Sequence, residues 1–284
     1  MSQPPWLSGE CPVIMGILNL TPDSFSDGGE LTDLSAVLRR AEAMASAGAH
    51  LLDLGAVSTR PGAPEVSAQE EMRRLLPAVE ALAKEGFAAL SVDTFRASVA
   101  AEALDRGVAM INDVRGGHEA GMAELMAERK PWVCLMHMKG RPQTMQAGAI
   151  DYSDVVSEVG AWLRESVERV CRAGLPSAHV VVDPGIGFGK TDAHNLALTL
   201  AGSTLRQQTG CDVLYGASRK SIVGRIASVD EPQERLAGSL SLAGAAYRSG
   251  ARVFRVHDVA QTVQYLALEG AMREHQALTG AHQD

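Results

Sequence analysis

The chain has 284 residues, a formal net charge of −8 and a pI near 5.5. With 46% hydrophobic residues it can bury a sizeable core, and with only 4% aromatics that core has to come from Ala, Val, Leu, Ile and Met. The acidic balance argues against nucleic acid or an anionic membrane as a partner of the whole surface, so any anion site must be a local concentration of positive groups. No apolar stretch approaches the ~20 residues of a membrane span.

The opening MSQPPWLSGE shows no basic region followed by an apolar run, so no signal peptide is expected. Cys11, Cys134, Cys171 and Cys211 lie far apart and form no CxxC, which fits free thiols in a reducing cytoplasm better than disulfides or zinc. Along the chain, short apolar runs alternate with longer amphipathic segments. The runs are Val13–Leu20, Leu51–Ala56, Ala88–Val92, Val108–Ile111, Trp132–Met136, Val180–Val182, Val213–Tyr215 and Ala251–Val256. Helical spacing marks Leu31–Ala47, Ala68–Lys84, Phe95–Arg106, Glu119–Arg129, Ser153–Ala173 and Ala193–Gln208. Gly48, Gly86, Gly107, Gly174 and Gly250 stand where helices would stop before the next strand.

Continuous apolar strands suit a parallel sheet buried on both faces. Eight strand–helix units predict an α/β fold closed as a (β/α)8 TIM barrel, at a length near the roughly 250 residues typical of one. A single domain over 1–284 is expected, with 1–12 as an N-terminal extension. Between strands 7 and 8 the chain offers Ser218–Ala227, a break near Asp230–Pro232 and a helical run from Glu234 to Arg248, so an extra helix is expected there.

Nearly every apolar run ends in a polar group. In order these are Asn19, Ser58-Thr59-Arg60, Asp93, Asn112-Asp113, His137, Asp183, Ser218-Arg219-Lys220, and Arg255 with His257. Any one of them could be a helix cap or strand-end turn. Eight in register point to an active site at the C-terminal mouth of a barrel. Asp93, Asn112 and Asp183 supply acceptors and an amide suited to a flat heterocycle with several N–H donors. Arg60, Lys220, Arg255 and His257 supply positive charge and donors suited to an anionic, phosphorylated group.

The run Asp183–Thr191 is not a P-loop, because GxxxxGK[ST] would need glycine where Pro184 stands. Its glycines are expected to let backbone approach a flat ligand. Asp53, inside a strand, reads as a structural acceptor rather than a catalyst, and His137 as a packed strand residue or a ligand. His118, His179 and His194 read as surface or capping residues. Met44, Met72, Met122 and Met126, at helical spacing, read as core.

Val13–Gly29, with Asn19-Leu20-Thr21-Pro22-Asp23-Ser24-Phe25 at its centre, resembles the first motif of the dihydropteroate synthases. Asp53–Gly62 resembles the second, except that Gly55-Ala56-Val57 stands where that family usually has Gly-Gly before Ser. Ser91–Thr94, Ile111–Asp113, Leu135–Met138, Asp183–Lys190, Ser218–Ser221 and Arg255–Asp258 follow in the family's order, so the resemblance spans about residues 13–265.

That resemblance implies a homodimer, Mg2+, and two small-molecule substrates, 6-hydroxymethyl-7,8-dihydropterin diphosphate and 4-aminobenzoate. It implies pterin contacts from Thr59, Asp93, Asn112, Met136, Asp183, Phe188 and Lys220, and diphosphate contacts from Asn19, Arg60, Arg255 and His257. Asn19 is implied as the metal ligand. Phe25, Pro61 and Ser218 are implied around 4-aminobenzoate, where sulfonamides compete in this family. Asp93, Lys220, Arg255 and His257 are the implied catalytic set. Thr21–Leu31 and Arg60–Ala68 are expected to be mobile loops closing over the second substrate. The rivals are a pterin-binding methyltransferase-like domain, which would have no diphosphate to bind, and a non-catalytic paralogue, which would be expected to lose charged site residues.

Overall fold

The computed structural model of the chain describes residues 12–20, 34–57, 66–87, 89–140 and 150–280. Eight parallel strands close into a barrel in sequence order, with β1 (Val13–Asn19) pairing both β2 (Leu51–Gly55) and β8 (Val253–Val256). Between these lie β3 (Leu90–Asp93), β4 (Met110–Asp113), β5 (Trp132–Met136), β6 (Val180–Asp183) and β7 (Asp212–Tyr215). The expected eight-stranded barrel is therefore present. Strands β3, β4 and β6 run on into the polar residue that ends each apolar run, because the ladder continues there: Asp93 is in register with Asn112.

Side chains alternate between two cores, as the strand period of 2 requires. Ile14, Leu18, Leu52, Val92, Val133 and Val182 join the layer between strands and helices. Val13, Met15, Leu51, Met110, Cys134 and Val253 fill the barrel interior. Met44, Met122 and Met126 are buried in the outer layer and Met72 packs against it, as their spacing predicts. Ala56 is also buried there.

The helices are α1 (Leu34–Ser46), α2 (Ala68–Lys84), α3 (Ala97–Asp105), α4 (Met122–Arg129), α5 (Val155–Ala173), α6 (Asp192–Thr199), α7 (Gly202–Thr209), α8 (Ser221–Ala227), α9 (Leu236–Arg248) and α10 (Val259–Gly280). Their ends follow local chemistry. Ser67 caps α2 by accepting from Glu70 N, Asp154 caps α5 by accepting from Val156 N and Ser157 N, and Gly174 ends α5 at φ 122°. Both α8 and α9 occupy the β7–β8 connection, so the extra helix is present.

One expected helix, Ala193–Gln208, is two. In a continuous helix Ser203 N would donate to Thr199 O. Instead Ser203 N donates to Ser249 O at 2.6 Å, and the Ser249 hydroxyl takes Thr199 O at 2.8 Å. The turn after α9 thus replaces the missing intrahelical bond and splits α6 from α7. Among the described residues no helix is long and apolar enough to cross a membrane.

Candidate active site

Strand parity decides what lines the barrel mouth. Two residues beyond the interior positions Leu51, Met110, Val181 and Val253 stand Asp53, Asn112, Asp183 and Arg255, and Ser91 and Asp93 share that parity on β3. Asp53 is fully buried. Its carboxylate accepts from Ser91 Oγ at 2.6 Å, Asn112 Nδ2 at 3.1 Å and Arg255 Nε at 2.6 Å. Arg255 Nη2 donates to Asp93 Oδ2 at 3.0 Å. Burial opposes the Arg255 charge, but Asp53 and Asp93 outweigh it and raise its pKa above the usual arginine value. Asp93 is pushed up to about 7, because burial disfavours its carboxylate more than Arg255 favours it.

Across the mouth, Asp183 Oδ1 accepts from Gly185 N at 2.7 Å, and burial raises its pKa against the pull of Lys220. Lys220 stands just before α8, donates to the Ile186 carbonyl and holds Nζ 4.5 Å from the Phe188 ring centroid. Burial lowers its pKa to about 8, with Asp183 opposing. Met136 ends β5, buried.

Beside this set, His257 N donates to Ser218 Oγ at 3.2 Å, and its ring Nδ1 lies 3.1 Å from the same oxygen. Burial, then Arg255 and Arg219, lower the His257 pKa to about 3. That shift favours a neutral ring, which still offers a donor. Arg219 is turned away from the anion role by a two-point pairing with Asp258, 2.9 Å at Nε.

The structure brings Asp93, Asn112, Asp183, Met136, Phe188, Lys220, Arg255, His257, Ser218 and Asn19 to the strand ends of one barrel mouth or to the loops that follow them. Phe25, Thr59, Arg60 and Pro61 lie outside the described residues, as do most of the two expected mobile loops. Asp113 is a turn anchor, accepting from Arg115 N and Gly117 N at 2.8 Å. His194 completes a capping box with Thr191, and His118 is exposed, stacked on Trp162. His179, expected at the surface or as a cap, is buried, stacked on Trp132 and bonded to the Lys130 carbonyl at 3.1 Å.

One glycine of the Asp183–Thr191 run is required by the barrel itself. Gly185 has φ 69°, and a Cβ there would stand 1.9 Å from His137 O, so its close approach is to the backbone after β5. The run is fastened there by Lys190, which is buried and donates to Phe188 O at 3.0 Å, with Nζ 3.0 Å from His137 Nδ1. His137 is thus a packed residue partnered by a lysine. Burial lowers Lys190 to about 7, and burial with Lys190 lowers His137 to about 3. Sequence reading did not single out Lys190, because nothing local marks a lysine for burial. Asp53 carried a signal: it shares strand parity with the site residues.

Among the described residues no group of three His, Cys, Asp or Glu could hold a metal. Asn19 ends β1 at the barrel mouth and offers one side-chain amide oxygen there, while Asp93 Oδ2 accepts from Arg255 Nη2 at 3.0 Å. Mg2+ takes hard oxygen donors and leaves positions for water and substrate phosphate. One amide oxygen makes no cage, so Mg2+ at Asn19 would need water and substrate phosphate for its other ligands.

A family model described as pterin binding enzyme matches residues 15–257. The chain is 46% identical to the dihydropteroate synthase of Escherichia coli over 253 residues, 89% of each chain. The solved dihydropteroate synthase of Yersinia pestis, with a sulfonamide drug complex, matches with TM-score 0.87 and 44% identity over 93% of this chain and 95% of that one. The Burkholderia cenocepacia enzyme complexed with 7,8-dihydropteroate matches with TM-score 0.84 and 40% identity over 95% and 94%. With this barrel, this mouth and these relatives, the chain belongs to the pterin-binding enzymes and, within them, to the dihydropteroate synthase family.

Proposed function

We propose that this transferase joins 6-hydroxymethyl-7,8-dihydropterin diphosphate to 4-aminobenzoate, releasing diphosphate and forming the C–N bond of 7,8-dihydropteroate. The observation that carries the reading is the pairing, within one mouth, of the carboxylates of Asp93 and Asp183 with the cations of Arg255 and Lys220. Asp93, Asn112 and Asp183 accept from the N–H edge of the heterocycle, and Lys220 donates to its acceptor edge. Met136 and Phe188 flank the ring, and the family resemblance assigns Thr59 to the pterin as well. Arg60, Arg255 and His257 take the diphosphate, His257 as a neutral donor.

The C–O bond to diphosphate breaks with both electrons on the leaving oxygen, and a cationic methylene remains on the pterin. Asp93 supplies fixed negative charge where that cation develops. The amine lone pair of 4-aminobenzoate closes the C–N bond and the nitrogen sheds a proton. Ser218 contacts the aromatic acid, and the family resemblance assigns Phe25 and Pro61 to the same substrate. Asn19 would hold Mg2+, which when bound offsets charge on the diphosphate. Free Cys134, Cys171 and Cys211 support a reducing, cytoplasmic setting. Exposed Leu268 and Met272, four residues apart on α10, support pairing with a second copy as a homodimer.

A diphosphate-release assay tests the reading. Release should require both substrates and match 7,8-dihydropteroate formed. Release without 4-aminobenzoate incorporation, or none at all, would refute it.

A further inference from the structure

We propose that Asp53 is a positioning residue that fixes which end of the Asn112 amide faces the heterocycle, holding the NH2 inward and leaving the carbonyl oxygen to read the ligand. The inference rests on the assignment of Asn112 to the pterin pocket. An asparagine side chain offers a donor at one end and an acceptor at the other, and neither sequence nor strand geometry chooses between them. The choice here is made by chemistry. Asp53 is fully buried, and Arg255 Nε at 2.6 Å pairs with the carboxylate that Ser91 Oγ also donates to at 2.6 Å. An ion-paired carboxylate accepts and does not donate.

Only the NH2 of Asn112 can therefore face Asp53, and it does so at 3.1 Å. Rotating the amide by half a turn would set oxygen against oxygen and strand two buried groups. The rotated form should be disfavoured by roughly tenfold or more. Asn112 Oδ1 is bonded to nothing else among the described residues, so it is left for a ligand N–H. In this arrangement Asp53 touches no substrate. It acts through Asn112, while its grip on Arg255 keeps it an acceptor.

The test compares two variants of Asp53 in titrations with 6-hydroxymethylpterin, which lacks the diphosphate. Asp53→Ala removes the acceptor and should weaken binding about tenfold or more. Asp53→Asn keeps an oxygen toward Asn112 and Arg255, because the Ser91 hydroxyl can turn to accept from the new NH2; binding should stay within about threefold of wild type. Equal weakening in both variants would mean that charge, not orientation, matters, and would overturn the proposal. So would wild-type binding in Asp53→Ala.

Should Asp53→Ala not fold, the side-chain NH2 of Asn112 in the intact protein decides by NMR. Its protons should exchange slowly both with and without the pterin, and solvent-rate exchange would overturn the proposal. Asn112→Ala separates the two layers of inference. Weakened pterin binding there, with none in Asp53→Ala, sinks the Asp53 role alone. Unchanged binding in Asn112→Ala sinks the site assignment and the Asp53 role together.

Discussion

Arg255 donates to Asp93 at 3.0 Å, so the carboxylate at the end of β3 holds a cationic partner from β8. The pairing does not return Asp93 to ordinary carboxylate behaviour, because burial dominates and leaves its pKa at about 7. A second group at the mouth, Lys220, is moved toward neutrality from the other side, to about 8.

These two shifts set a pH profile. Asp93 must be ionised to stabilise a cation, so kcat/KM should rise as pH passes about 7. Lys220 must be protonated to donate as a cation, so kcat/KM should fall as pH passes about 8. The expected curve is a narrow bell. In Lys220→Arg the alkaline limb should move out of range, because guanidinium does not titrate there. An alkaline limb that stays in place in that variant belongs to another group.

Asp93→Asn removes charge but little volume. It should leave pterin diphosphate binding largely intact and lower kcat by about 10²–10³, the usual loss for one preorganised electrostatic partner. Arg255 keeps its bond to Asp53, so no buried cation is stranded. Steady-state kinetics with a direct binding titration check this. Weakened binding with unchanged kcat would assign Asp93 to ground-state recognition.

Lys190 should carry a pH-dependent share of stability. The unfolded residue takes its proton at 10.5 and the folded one at about 7. As pH falls from 10.5 toward 7 the unfolded state binds that proton and the folded state does not, so this contribution is present above 10.5 and is lost on the way down. The Tm advantage of wild type over Lys190→Met should therefore shrink between pH 10 and pH 7. A difference independent of pH would show that the burial of Lys190 is not what sets its charge.

Chelating Mg2+ should weaken binding of pterin diphosphate far more than binding of a pterin lacking the diphosphate. Asn19 offers only one amide oxygen, so the ion depends on substrate phosphate for its remaining ligands. Titrating both ligands with and without the metal checks this. Equal effects on the two would remove the ion from between Asn19 and the diphosphate.

The barrel and its mouth were legible in the sequence because both are written locally. A fully apolar run of strand length, a following helical period and a polar residue at the run's end need no knowledge of the rest of the chain. That reasoning reached Asp93, Asn112, Asp183, Lys220, Arg255 and His257. Tertiary structure decided what each of them touches. Asp53 and Arg255 are separated by 202 residues and meet only because β1 brings β2 and β8 to either side of itself. The same cause explains the other departures. Ser249 splits α6 from α7 across the chain, His137 draws Lys190 into the interior, and burial, with Arg255 and Arg219 behind it, pushes the His257 pKa down. Local periodicity records which way a side chain points; the charge state and bonding of a buried polar group depend on partners that only closure of the barrel supplies.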